Sequence, residues 1–505
     1  MNTLLPTVIF FVLVALVLGL GFAAARFGGE KANHIEEWGL GGRRFGTLLS
    51  WFLIGGDAYT AYTFIAIPAL MFGAGAIGFF AMPYTIVIYP ILYMVFPRLW
   101  RVAKAHGYIT GPEFVRGRYG NKWLALAVGV TGIVATMPYI ALQLVGMQTV
   151  IGALGIPGHL PLVLAFLVLG GFTYTAGLKA PAVISVVKDL LIYLTVLVAI
   201  IAIPAELGGF GAIFAKVPAK MVLLAQPPAG STGGFSAYGS LALGSALALF
   251  LYPHTMTGVL SSAGPKVIKR NAVLLPAYSL MLGFLALLGF MAIAMGVKTM
   301  PQFAAGFAHY GTSFAVPALL MATLPSWFVG VAFAAIAIGA LVPASIMAIA
   351  AANIFARDIW GQFTQHGPDG GAKVAKLFSI LVILGALAFV LALPLTFAVQ
   401  LQLLGGMWLI QTVPAIMISV FTRRLNGWAV LVGWAAGIGA ATWLAALNHF
   451  AAAIWPFHVF GYTVPCYIAL ATLLLNLLVA WVLTPLFNAL APGAEGDETC
   501  AADYV

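Results

Sequence analysis

The chain has 505 residues, 63% of them hydrophobic and only 7% charged, and its mean hydropathy is +1.06. Soluble domains carry roughly a quarter charged residues, so a water-facing surface for a fold of this size cannot be made, and disorder, collagen and coiled coil are excluded as well. The 23 basic and 13 acidic residues give a net charge of +10, whose meaning depends on where the charges fall along the chain. Cys466 and Cys500 are far apart, one in an apolar run and one in the tail, and support neither a disulfide framework nor a metal cluster.

Hydrocarbon offers no water to a backbone N–H or C=O, so apolar runs of about 20 residues read as helices. Thirteen spans are predicted. Span 1, 4–25, is followed rather than preceded by its basic residues, Arg26 and Lys31, and is too long in its apolar core for a cleaved signal despite Ala23-Ala24-Ala25. Span 2, 46–72, reads Leu53-Ile54-Gly55-Gly56-Asp57-Ala58-Tyr59-Thr60. Paired glycines weaken a helix. Asp57 lies eleven residues in from the start, ~16 Å at 1.5 Å per residue, near the bilayer midplane. Ahead of span 3, 76–96, Gly73-Ala74-Gly75-Ala76-Ile77-Gly78 matches a dinucleotide fingerprint, but no strand precedes it and the match is false.

Span 4, 123–150, carries Gln143 and Gln148; span 5 is 160–177; span 6, 181–205, carries Lys188 and Asp189. These two neighbours point ~100° apart on a helix and are not an automatic pair. Lys188 is expected to snorkel toward the nearer interface. Span 7, 237–260, reads Phe250-Leu251-Tyr252-Pro253-His254-Thr255, where proline removes a ladder bond and an ionisable ring follows. Spans 8 and 9 are 272–296 and 327–354, the latter with Ser345 after Pro343; span 10 is 377–398; span 11, 401–421, places Gln411 and Thr412 before Pro414. In span 12, 427–447, Gly433 and Gly437 form a close-packing G-x-x-x-G. Span 13 is 463–487, and the tail with Glu495, Asp497, Glu498 and Asp503 is expected to be disordered. The long loops 206–236 and 297–326 are expected to carry short surface helices.

Loops 26–45, 97–122, 178–180, 261–271, 355–376 and 422–426 hold 19 of the 23 Lys and Arg residues. Such asymmetry puts these loops in the cytoplasm, the N-terminus outside and the C-terminus inside. It also accounts for the net charge without nucleic acid.

A helix broken inside a membrane is tolerated where it lines a cavity, so the breaks in spans 2 and 7 point to a site. The two spans are five apart. This predicts one transmembrane transporter domain over 1–505: an all-α protein with two inverted five-helix repeats, spans 2–6 (46–205) and 7–11 (237–421), and peripheral helices 4–25, 427–447 and 463–487. In such secondary transporters half-helix N-termini face an anion and unwound carbonyls coordinate a cation. H-E-x-x-H, G-x-S-x-G and Walker motifs are absent and no catalytic cluster is seen, so an enzyme is not expected.

Several stretches, in order and spacing, resemble the sodium:solute symporter family, whose fold is the LeuT type. They are Gly41-Gly42-Arg43-Arg44-Phe45-Gly46, Tyr139-Ile140-Ala141-Leu142-Gln143-Leu144-Val145-Gly146, Tyr252-Pro253-His254 and Asn353-Ile354-Phe355-Ala356-Arg357-Asp358-Ile359-Trp360. Lys188-Asp189 stands where members commonly have Thr-Asp. Gly339-Ala340-Leu341-Val342-Pro343-Ala344-Ser345 and Gln411-Thr412-Val413-Pro414 are similar to the bacterial monocarboxylate permeases.

The resemblance implies a sodium ion between the break of span 2 and the middle of span 9. Its carbonyl donors fall on Gly56, Tyr59 and Gly339, and its two hydroxyl donors on Val342 and Pro343, which have no hydroxyl. Ser345 is two residues off. Pro343 frees the Gly339 carbonyl, and Asp57 can add a carboxylate. Asp189 falls on the implied inner cation-release path. Proton coupling through Asp57 or His254 is the alternative to sodium.

No arginine lies inside a span away from its ends. An anionic substrate is therefore expected to be held by helix N-termini and polar groups, with candidates Gly55, Gly56, Tyr59, Thr60, Thr63, Gln143, His254 and Gln411, several of which serve equally well as interhelical glue. These features predict a symporter in a bacterial inner membrane. It imports a small organic acid, a short monocarboxylate such as lactate, pyruvate or acetate, with Na+ or H+ as the driving ion and no organic cofactor. Its partners are substrate, cation and bilayer. The competing readings are a passive channel, a substrate sensor, or a symporter of another solute such as an amino acid.

Overall fold

With lipid as solvent, each stretch must satisfy its own backbone, and helices dominate. The computed structural model describes residues 3–26, 34–156, 158–364, 368–392, 398–490 and 496–505. Among them, nine helices are long and apolar enough to cross a membrane, and the bent pair Gly233–Leu249 and Pro253–Leu260 makes a tenth. Thr47–Gly56, Leu160–Thr175 and Gln402–Ile418 are shorter apolar helices. Ser326–Ile354 is the central post. Its apolar window is buried throughout, because alanines at 332, 334, 335, 337, 340 and 344 let Leu4–Arg26, Lys122–Ala153 and Lys179–Leu207 approach closely.

Both expected breaks are present. Span 2 divides into Thr47–Gly56 and a second half formed by Tyr62–Ala66 and Ile67–Ala74. Span 7 bends by 53° between Gly233–Leu249 and Pro253–Leu260. Pro253 denies Leu249 its helical donor, and the Thr255 hydroxyl replaces it, donating to the Leu249 carbonyl at 2.6 Å and the Tyr252 carbonyl at 2.8 Å.

Several boundaries differ from expectation. Span 3 is Ala81–His106 and span 8 Pro265–Met295, each carrying basic residues on helical extensions beyond the apolar run. Span 13 begins only at Ile468. The residues before it, expected to be partly helical, form a hairpin of Ile454–Val459 with Tyr462–Tyr467. Phe460 and Gly461, at φ +48° and +81°, make the tight turn whose twist suits a hairpin. The two expected loops carry Phe210–Lys216 and Ala219–Val222, and Ala304–Tyr310 and Ala315–Thr323.

The Gly41-Gly42-Arg43 step before span 2 is left-handed at all three residues, a conformation glycine adopts at no steric cost. It turns the Arg43 side chain inward. Its guanidinium donates to the Tyr108 carbonyl and pairs with Glu36 at 2.9 Å. Glu113 caps the short helix Gly111–Tyr119 and accepts from Arg357 at 2.6 Å, while Thr110 donates to Asp358 at 2.7 Å. These bonds pin the ends of spans 3 and 9 together on the basic face.

The tail is ordered over 496–505, contrary to expectation; Glu495 lies outside the described residues. Asp497 accepts from Arg118 at 3.0 Å and Arg423 at 2.8 Å, Glu498 N–H donates to the Gly117 carbonyl at 2.7 Å, and His106 meets Asp503 at 2.9 Å. The Cys500 N–H, then His106, hold the Asp503 carboxyl down at about 2. The larger part of this comes from the tail's own Cys500 N–H, so it stabilises the tail's last turn above the free value of 3.8 and is lost as pH falls through about 2.

Asp497→Ala leaves Arg118 buried without its carboxylate. Losing charged hydrogen bonds of this kind costs up to about 2 kcal/mol. Hydrogen exchange of 496–505 should accelerate by up to about 30-fold at that cost, with little change in the core helices. Unchanged exchange would show that the tail is held by other contacts.

Candidate functional site

The first half of span 2 ends because Gly55 and Gly56 permit close approach. A Cβ on Gly55 would meet Leu275 at 2.6 Å, and the Asp189 carboxylate lies against Gly56 with no room for a side chain. The chain then makes three-residue turns, Ala58 N–H to the Gly55 carbonyl and Tyr59 N–H to the Gly56 carbonyl, both 3.0 Å. The second half starts with three capped donors. Thr60 N–H donates to the Thr63 hydroxyl and Tyr62 N–H to the Thr60 hydroxyl, both 3.1 Å, and Ala61 N–H donates to Gln143 Oε1 at 3.0 Å. Thr60, Thr63 and one end of Gln143 are therefore spent on the backbone. The free helix N-terminus is in span 7, where no side chain caps Pro253–Leu260 and the N–H groups of His254 and Thr255 have no acceptor in their own helix.

Asp57 sits in the break. His254 Nε2 is 3.4 Å from Asp57 Oδ2, a contact longer than a good hydrogen bond. The His254 ring packs edge-on to Tyr139 and tilted to Tyr252, both with centroids 5.4 Å away, and Tyr139 meets Tyr62 at 6.5 Å. Asp57, Tyr62, Gln143 and His254 are each 5% exposed or less. Both Asp57 oxygens, both His254 nitrogens, Gln143 Nε2 and the Tyr62 hydroxyl have no hydrogen-bond partner among the described residues. Buried polar atoms are seldom left so; the residues that carry these lie on spans 2, 4 and 7, with Asp57 against His254 and Tyr139 between His254 and Tyr62. A narrow cavity of about 20 Å³, room for about one water, lies beside Leu251, Pro253, Met256, Gly132, Thr110 and Ile354.

A second cluster lies at the other end of the break. Lys188 was expected to reach an interface, yet it is 1% exposed. Its Nζ donates to the Gly56 carbonyl, lies 3.3 Å from the Tyr59 carbonyl and pairs with Asp189 Oδ1 at 3.0 Å. Adjacent residues on a helix do not face each other, but the flexible four-carbon stem bends the ammonium back to its neighbour. Tyr59 keeps a free carbonyl because Thr63 N–H turns to the Thr60 carbonyl at 3.1 Å. Gly339 stands opposite: a Cβ there would be 3.9 Å from the Tyr59 carbonyl oxygen. Val342 and Pro343 are buried in the same helix and offer no oxygen from their side chains.

A sodium ion needs several oxygens. Here both span 2 carbonyls already hold the Lys188 ammonium, which occupies the place a free ion would take beside them. The residues present do not fit sodium at this position.

Two candidates lie elsewhere. Ser345 bonds to Thr173 of span 5 at 2.6 Å. Gln411 donates to Thr472 at 2.9 Å and accepts from Asn476 at 3.2 Å, tying span 11 to span 13. Tyr62, Tyr139 and Tyr252 were not singled out as candidates. Tyr139 carries a legible signal, since it precedes Gln143 by four residues and shares its helix face.

Fold and site define a membrane transporter with interrupted central helices rather than an enzyme. Residues 38–437 match the sodium:solute symporter family, and the chain belongs to it. A protein of Rhizobium johnstonii described as a monocarboxylate transport permease is 48% identical over 499 residues, covering 96% of this chain and 97% of that protein. An uncharacterised symporter of Bacillus subtilis, YodF, is 32% identical over 451 residues and 88% of each chain. In fold the chain is similar to a Na+-coupled sialic acid symporter solved in a substrate-bound outward-open state, with a TM-score of 0.78 at 18% identity over 96% of this chain and 98% of that one.

Gln411→Leu should lower the melting temperature through the lost Thr472 and Asn476 bonds, a cost of about 1–3 kcal/mol. Its half-saturation for substrate should stay at the wild-type value. A raised half-saturation with unchanged melting would put Gln411 in the substrate site instead.

Proposed function

We propose that this protein is a cation-coupled symporter that imports a short monocarboxylate across a bacterial plasma membrane by alternating access. The observation carrying this reading is the group of six orphaned polar atoms on Asp57, Tyr62, Gln143 and His254, set between two broken helices and shut from solvent. A carboxylate is the ligand chemistry that suits them. The Gln143 amide and the Tyr62 hydroxyl donate, and the uncapped turn at His254 and Thr255 presents N–H groups and a positive dipole end. The rings of Tyr139 and Tyr252 beside His254 offer apolar faces to a small organic body. The 48% identical permease supports the same substrate class.

The full architecture belongs to the same reading: thirteen spans, two inverted repeats of five led by spans 2 and 7, the N-terminus outside and the basic face in the cytoplasm.

Asp57 makes the transport ordered. An ionised Asp57 and a substrate carboxylate ~4 Å apart repel by roughly 4 kcal/mol at an effective dielectric of ~20. Positive charge loaded at Asp57 removes that repulsion, so the loaded state prefers the anion, and only such differential affinity couples the two. Family membership favours sodium as the driving ion; the Asp57–His254 contact favours a proton.

Proteoliposomes with sodium and pH gradients imposed separately should accumulate labelled lactate or pyruvate under one of them. Asp57→Asn, which keeps the shape and removes the charge, should reduce accumulation to the level of protein-free vesicles. Accumulation equal to wild type in this variant would remove Asp57 from the mechanism.

A further inference from the structure

The Lys188 ammonium has three oxygen partners and all are buried. The Gly56 and Tyr59 carbonyls come from the break of span 2, and the Asp189 carboxylate comes from its own helix. On the far side, the Tyr59 carbonyl faces Gly339 in the middle of span 9. Between an unwound segment and a facing helix, these carbonyls form a pocket for a small monovalent cation. An ammonium group has the charge and hydrogen-bonding habit to fill it.

We propose that Lys188 supplies this chain's own cation to that pocket, tethered through its side chain to span 6, so that the pocket takes no sodium during transport. This rests on the symporter reading above and refines its ion requirement. Three observations support it independently. The ammonium is held by the very carbonyls that a free ion needs. Val342 and Pro343 contribute no side-chain oxygen where a bound metal ion wants more ligands. Asp189 balances the lysine charge at 3.0 Å and also blocks the space beside Gly56, so the cluster is neutral and filled without a free ion.

The consequence is mechanical. A free cation arrives and departs, and the break of span 2 is held against spans 6 and 9 only while it is bound. A tethered ammonium holds the break permanently from the span 6 side. The moving charge then has to act elsewhere in the site. Lys188 is thus a positioning residue for the break rather than a substrate ligand.

The test uses the purified full chain. Binding of radioactive sodium to the wild-type protein should show no saturable component. In proteoliposomes at fixed pH and membrane potential, the rate of lactate or pyruvate uptake should be the same in choline as in sodium. Lys188→Ala should slow uptake by about tenfold or more, as expected on removing a buried charged donor. Added methylammonium, which can enter the vacated carbonyl pocket, should restore part of it. A lysine that merely packs would not be replaced by a free amine.

Saturable sodium binding by the wild type, sodium-dependent uptake, or full activity of Lys188→Ala without amine would each overturn the proposal. The binding measurement decides the matter even if Lys188→Ala does not fold. If the wild type moves no monocarboxylate in either salt, the symporter reading fails by itself, and sodium binding still decides the role of Lys188.

Discussion

A carbonyl released from its helix inside a bilayer has no water to turn to, and the arrangement around span 2 follows from how its released groups are satisfied. On the N–H side, Thr60, Thr63 and Gln143 supply acceptors. On the carbonyl side, Lys188 supplies a charge. Span 7 is broken by proline instead, and the Thr255 hydroxyl donates to the freed Leu249 carbonyl. Among the described residues, a carboxylate, an imidazole, an amide N–H and a phenol beside the two breaks are left without partners, and these are the groups on which the proposed substrate site draws.

The same economy shapes the basic face. Arg43, Glu113, Arg357, Thr110 and Asp358 join the short helix Gly111–Tyr119 to the ends of spans 2, 3 and 9. The tail adds a strap from Asp497 to Arg118 and Arg423. Charged hydrogen bonds of this kind are each worth roughly 1.5–3 kcal/mol, so together they hold these helix ends firmly.

The parts of the fold legible in the sequence were those written in hydropathy and in helix breakers. Apolar runs marked the spans, Gly55-Gly56 and Pro253 marked the interruptions, and charge placement marked the basic loops. Depth, side-chain reach and local turn geometry were not legible. Lys188 reads as a snorkelling residue because its position along span 6 is compatible with an interface, whereas its direction depends on where span 2 crosses. Residues 454–467 read as the approach to an apolar helix, since a two-residue turn with positive φ at Phe460 leaves little trace in composition. The acidic tail reads as disordered because the arginines that order it, Arg118 and Arg423, are distant in sequence. Gln143 and Gln411 look alike on paper; one caps a broken helix beside Asp57 and the other ties span 11 to span 13.

The central claim is that the two helix breaks jointly enclose one organic anion between Asp57, His254 and the tyrosines, with Lys188 fixing the break beside them. A high-resolution cryo-EM map of the purified protein with saturating lactate or pyruvate tests it most directly. The account predicts ligand density between residues 57–62 and 252–255, within hydrogen-bond reach of Gln143 and Tyr62, with Lys188 density continuous to the Gly56 and Tyr59 carbonyls. Ligand density in another part of the bundle, or a separate ion between those carbonyls with Lys188 turned away, would contradict it.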